Sequence, residues 1–156
     1  MVKKRVFALL AACAILVSSF GTSASAVETA DESVVYIKEL VCEPLELSTL
    51  AEWESGPVTR AFARINISVA PNTKTAAKNQ TFSLEAGEAV RINCSYSPES
   101  ASVDFGLIAP DGYFYYERVT GGDINKAIQV DERGTYILAV RNNSSDTVSV
   151  VGFVHY

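Results

Sequence analysis

From residue 55 onward, apolar side chains recur at every second position in short runs, and turn-forming residues break these runs at short, fairly even intervals. Ile65, Ile67 and Val69 alternate up to the Pro71-Asn72 break, and Phe82 and Leu84 alternate up to Glu85-Ala86-Gly87-Glu88. Val90, Ile92, Cys94 and Tyr96 fall on one face of the next run, with Arg91, Asn93 and Ser95 on the other. This is the two-residue period of a strand with one face buried. Val103, Phe105 and Leu107 follow, then an aromatic run from Tyr113, then residues 124–130, 136–140 and 148–154. Such spacing predicts an all-β fold, an antiparallel β-sandwich of Greek-key or jelly-roll type with about eight to nine strands. Upstream, residues 34–41 read as a strand and residues 45–53 as a short helix.

Two local motifs sharpen this picture. Asp131-Glu132-Arg133-Gly134-Thr135-Tyr136 resembles the tyrosine corner of Greek-key sandwiches, in which the tyrosine hydroxyl bonds back to nearby backbone. In Ile108-Ala-Pro-Asp-Gly-Tyr-Phe-Tyr-Tyr116, Pro110-Asp111-Gly112 suits a three-residue hairpin loop, proline entering a type I turn and glycine taking the left-handed position. That loop sets Leu107 against Tyr115, Ile108 against Phe114, Gly106 against Tyr116 and Asp104 against Arg118. Opposite charges then meet and a ring covers a glycine, and slipping by one residue destroys both pairings. The flaw in this register is Glu117 facing Phe105. It predicts Tyr113 and Tyr115 in the core, with Ile108, Phe114 and Tyr116 on the second face of the sheet and the Asp104–Arg118 pair at their margin. An apolar face of this kind needs a cover. Either the N-terminal segment supplies it through Val35, Ile37, Leu40 or Trp53, or the face is a platform for a protein or a glycan.

The N-terminus sets the compartment. Lys3, Lys4 and Arg5 precede an apolar run from Val6 to Val17, and Ala24-Ser25-Ala26 closes the segment, the form of a secretory signal peptide over residues 1–26. Leu10-Ala11-Ala12-Cys13 offers an alternative, a lipoprotein box in which Cys13 is acylated, although the apolar run continues past Cys13. Residues 27–54 carry eight acids and one base, an acidic N-terminal extension before a sandwich domain over residues 55–156. Removing three bases and no acid from a formal charge of −5 leaves −8, which argues against nucleic acid as a partner. Cys42 and Cys94 remain in a compartment that permits disulfides. They could be bridged, or Cys94 could be a buried small apolar residue on its strand.

Several chemistries lack their residues. Proton transfer through imidazole has only His155, the penultimate residue, and no zinc-like ligand spacing is present. No phosphate-cradling glycine loop and no calcium loop pattern occurs. Asp111, Asp123, Asp131, Glu132 and Asp146 all fall at predicted turns, where two carboxylates could converge as in a glycosidase. No cofactor and no metal is expected.

With these residues placed, the stretch from Thr81 to Tyr156 resembles an uncharacterised group of short secreted proteins of anaerobic Gram-positive bacteria. The resemblance lies in Phe82-Ser-Leu-Glu-Ala-Gly-Glu, Ser95-Tyr-Ser-Pro, Ser102-Val-Asp-Phe-Gly-Leu-Ile-Ala-Pro-Asp-Gly and Val140-Arg-Asn-Asn-Ser-Ser. More distantly, the order of turns and strands is similar to accessory sandwich domains of secreted peptidases and to domains of secretory-pathway cargo receptors. The resemblance covers about half the chain and implies a secreted sandwich; it transfers no catalytic or binding residue. The sequence thus points to a secreted or surface-associated, non-enzymatic sandwich that binds a glycan or protein, with Ile108, Phe114, Tyr116, Asp104 and Arg118 as the contact residues. The competing expectation is a structural or protective secreted protein without a specific ligand. Membrane association is expected only if Cys13 is acylated or the signal peptide is retained.

Overall fold

The alternating runs form strands in the computed structural model, which describes residues 35–37, 39–45, 50–53 and 62–156. Ten strands are present among the described residues: β1 (Val41–Pro44), β2 (Leu50–Trp53), β3 (Phe62–Val69), β4 (Lys74–Leu84), β5 (Ala89–Ser97), β6 (Val103–Ile108), β7 (Tyr113–Val119), β8 (Asp123–Gln129), β9 (Gly134–Asn142) and β10 (Val148–His155). They build a six-stranded sheet in the order β1-β7-β6-β9-β4-β2 and a four-stranded sheet in the order β3-β10-β5-β8. Pairing is antiparallel except between β2 and β4. The all-β sandwich is therefore as expected, with two strands more than residues 55–156 alone provide. The expected signal peptide and Cys13 lie outside the described residues.

The inward positions of both sheets make the main core. Ile65, Phe82, Val90, Ile92, Phe105, Leu107, Leu138, Val140 and Val150 are buried there together, each large apolar side chain contributing about 1.5–3 kcal/mol of transfer free energy. Tyr136 makes the expected corner: its hydroxyl donates to the Glu132 carbonyl at 2.6 Å. Asn142, fully buried at the end of β9, donates from Nδ2 to the carbonyls of Val69 and Asp146 and accepts the Ser144 amide on Oδ1. One side chain thus ties the β3–β4 turn to the β9–β10 loop by pairing backbone groups of both.

The β6–β7 register is the one the hairpin turn dictates: Asp104 faces Arg118, Gly106 faces Tyr116, Leu107 faces Tyr115 and Ile108 faces Phe114. Gly112 takes the left-handed conformation at φ 81°. At Gly106 a Cβ would lie 2.0 Å from the Tyr115 carbonyl oxygen and 2.7 Å from the Tyr116 Cα, so the two strands approach too closely there for any side chain. Glu117, the flaw of this register, is tolerated because Lys126 on β8 reaches across and pairs with it.

Two N-terminal expectations are corrected. Residues 35–37 do not form a full strand: Tyr36 makes an isolated parallel bridge to Ala127, held by Ala127 N–H to the Val35 carbonyl and Ile37 N–H to the Ala127 carbonyl, both 2.9 Å. In place of the helix expected over 45–53, residues 50–53 form β2, whereas 46–49 lie outside the described residues. A nine-residue helix is marginal on its own. The free edge of β4 and the apolar cluster under Leu50 offer more than local propensity can. β1 and β2, the described strands of the acidic segment, are the outer strands of the six-stranded sheet, so these residues are part of its architecture.

Candidate functional site

The residues expected to make a contact face all project from the outer side of the six-stranded sheet, and that side is rolled. Glu43 on β1 bonds Lys74 on β4 at 2.5 Å, although β7, β6 and β9 stand between the two strands. In a flat sheet four strand spacings span about 19 Å, beyond the combined reach of the two side chains. Curling brings β1 back over the sheet and encloses a second, small core of Ile108, Phe114, Tyr116, Ala76 and Ala139, packed by Leu45, Leu50 and Ile137. Alanines and Gly106 on the concave side leave room for the two rings, which stack at 4.9 Å.

This corrects the expectation of an exposed aromatic platform. Phe114 is 0% exposed, and Ile108 and Tyr116 are buried with it. The cover does come from the N-terminal segment, but through Leu45 and Leu50. Of the residues expected to do this, Ile37 and Leu40 pack on the main core, Val35 is exposed, and the Trp53 side chain lies outside the described residues. Tyr113 and Tyr115 occupy the core side of β7 as the register requires, yet Tyr113 is 40% exposed and Tyr115 half-buried. Both stand next to the hairpin turn, where the Tyr115 hydroxyl donates to Asp111 Oδ2 at 2.6 Å.

A charge network closes the rolled side. Asp104, 0% exposed, accepts Arg118 Nε at 2.8 Å, Arg118 Nη2 at 3.1 Å and Arg141 Nε at 2.6 Å. Arg141 also bonds Glu43 at 2.5 Å and lies 4.5 Å from the Tyr116 ring centre, while the Lys74 ammonium lies 4.9 Å from that of Phe114. Burial by itself would raise the Glu43 carboxyl, but hydrogen bonds from Arg141 and Lys74 outweigh it and hold the group below its ordinary value. Burial works against the Arg141 charge too, and the bonds to Glu43 and Asp104 override it and hold the guanidinium above its ordinary range. Three cations and two carboxylates thus satisfy one another over two rings. Asp104 and Arg118 are committed to each other. Arg141, Lys74 and Glu43 were not singled out in the sequence, because nothing local says that β9, β4 and β1 converge on Asp104.

The two cysteines are not bridged, which settles the open alternative. Cys94 points into the main core from the four-stranded sheet, and burial pushes its thiol up to about 12. Cys42 is exposed on β1 of the other sheet.

The outward face of the four-stranded sheet has a different character. Strands β3, β10 and β5 lie side by side and present Phe62, Arg64, Asn66 and Ser68, then Ser149, Val151, Phe153 and His155, then Arg91, Asn93, Ser95 and Ser97. No Lys, Asp or Glu is among these. Phe153 is 41% and Val151 47% exposed on the middle strand of the three, and Phe62 stacks on Phe153 at 4.9 Å with the His155 ring edge-on at 5.3 Å. The sequence signal for this face was Val150-Val151-Gly152-Phe153-Val154, which places apolar residues on both sides of one strand.

No protein-family model and no curated protein matches the chain. Among solved structures, one similar in fold is the crystal structure of PliG from Aeromonas hydrophila, a periplasmic lysozyme inhibitor of g-type lysozyme. It shares 15% sequence identity over 69% of this chain and 96% of that one, with a TM-score of 0.45. The likeness transfers no residue and no activity to this chain.

Proposed function

We propose that this chain is a secreted or surface-associated, non-enzymatic sandwich that binds a protein through the outer face of its four-stranded sheet. The observation that carries the reading is the composition of that face. Exposed aromatic and aliphatic groups sit on the middle of three adjacent strands, framed by Arg, Asn and Ser; Lys, Asp and Glu are missing from the outward positions of these three strands, and β8 adds Asp123 at the edge of the face. Aromatic rings and arginine without other charged residues mark the centre of protein interfaces. Rigid rings surrounded by short adaptable amides and hydroxyls also describe antibody contact surfaces. The signal-peptide pattern of residues 1–26 supports the compartment, and a sole histidine at the penultimate position, His155, supports binding over imidazole-dependent turnover.

The test compares the native chain with the Val151→Ser/Phe153→Ser double variant, each immobilised and offered extracellular proteins and a glycan array. The reading expects a protein ligand whose affinity falls at least about 30-fold in the variant, the effect of losing one hot-spot aromatic, with the folded state intact. Equal retention by both chains contradicts it. Retention of a glycan in place of a protein overturns the partner class, and no ligand for either favours the structural or protective role.

A further inference from the structure

One end of the sandwich holds a cleft of about 240 Å³ between the turn at 110–112 and the turn at 131–133. Leu107 and Ile128 of the main core, together with Leu40, make its floor, and Tyr115 and Tyr136 stand in its walls. Both phenols spend their proton internally, on Asp111 Oδ2 and on the Glu132 carbonyl, each at 2.6 Å. The second Asp111 oxygen accepts the Tyr113 amide at 2.9 Å, so its position is fixed. Asp131 and Glu132 line the cleft from the other turn. Burial raises the Tyr136 hydroxyl above its ordinary value, and the charges of Glu132, Asp111 and Asp131 raise it further. Arg133, the base among the lining residues, pairs with Glu85 at 3.2 Å.

We propose that this cleft receives one cationic side chain of a protein partner, a lysine or an arginine, its apolar stem on the floor and its charge among Asp111, Asp131 and Glu132. The volume lies below the roughly 300 Å³ at which pockets for drug-sized ligands begin, which suits a single side chain. An apolar floor under an anionic rim matches a side chain that is itself a hydrocarbon stem with a charged tip. An anion would be repelled by three carboxylates, and a purely apolar occupant would leave them without a counter-charge. This site is separate from the sheet face proposed above and stands or falls without it.

The experiment titrates Nα-acetyl-lysine methylamide, its arginine counterpart and its norleucine counterpart into isotope-labelled full chain, following the amides of residues 107–115 and 128–136. Saturable shifts with the lysine and arginine compounds are expected, with norleucine at least about tenfold weaker, one decade for the charge. The Asp131→Asn/Glu132→Gln variant, which leaves the Glu132 carbonyl in place for Tyr136, is expected to bind the lysine compound about tenfold more weakly than the native chain. Norleucine binding as tightly as lysine, lysine binding unchanged in that variant, or no saturation up to about 50 mM each overturns the proposal.

Discussion

Asp104 is a buried charged residue held between two guanidinium groups, and its effect on stability follows from its partners. Two guanidinium groups share one carboxylate, so Asp104→Asn leaves Arg118 and Arg141 facing each other across a neutral amide. Removing one member of a buried ionic group is expected to destabilise the chain by about 3–5 kcal/mol, read as a shift of the urea midpoint; a loss below about 1 kcal/mol would show the network to be ornamental. Glu43 adds a pH dependence whose sign is fixed. Its carboxyl is held below the ordinary value of 4.5 in the folded chain. Its stabilising contribution is therefore complete above that value and is lost as pH falls through the folded value. The stability gap between the native chain and Glu43→Gln is expected to be constant from neutral pH down to about 5 and to close below that; a gap that widens in acid contradicts the assignment. The Asp104–Arg118 pair was legible in the sequence because a hairpin turn fixes its own register. Arg141 was not, since its approach to Asp104 spans 37 residues and depends on which strand lies beside β6.

The elements divide along the same line. The strands read in the sequence from residue 55 onward, β3 to β10, are all present, and the tyrosine corner and the hairpin turn place their residues as local chemistry requires. The β6–β7 ribbon depends on its contact at Gly106. Gly106→Ala pushes a methyl group into the Tyr115 carbonyl and the Tyr116 backbone and is expected to part the two strands, with a loss well beyond the roughly 1 kcal/mol average for a point substitution. Alanine at Gly87 meets only the left-handed φ of 91° and no neighbouring atom, so the two substitutions separate collision from backbone strain. A Gly106→Ala chain no less stable than Gly87→Ala contradicts the close approach. The N-terminal elements were misread because four-residue strands at sheet edges have no period long enough to see. Their conformation is set by the edges of β7 and β4 and by the small core beneath them.

At the scale of the molecule, the hairpin and the four-stranded sheet each carry an aromatic face, and the roll of the six-stranded sheet buries the first. The same curl that carries Glu43 to Lys74 buries Phe114 and Tyr116, and it leaves Phe62, Val151, Phe153 and His155 as the outward apolar group on the opposite sheet. The sequence showed that the β6–β7 hairpin carries apolar side chains on both faces; it could not show that the chain supplies its own cover, because that depends on curvature. Hydroxyl-radical footprinting of the full chain, read residue by residue by mass spectrometry, tests this most directly. The account predicts rapid oxidation of Phe153, His155 and Tyr113 with Phe114 and Tyr116 protected until the chain unfolds. Labelling of Tyr116 at the rate of Tyr113 in the native state would contradict it and return the contact surface to the face of the six-stranded sheet.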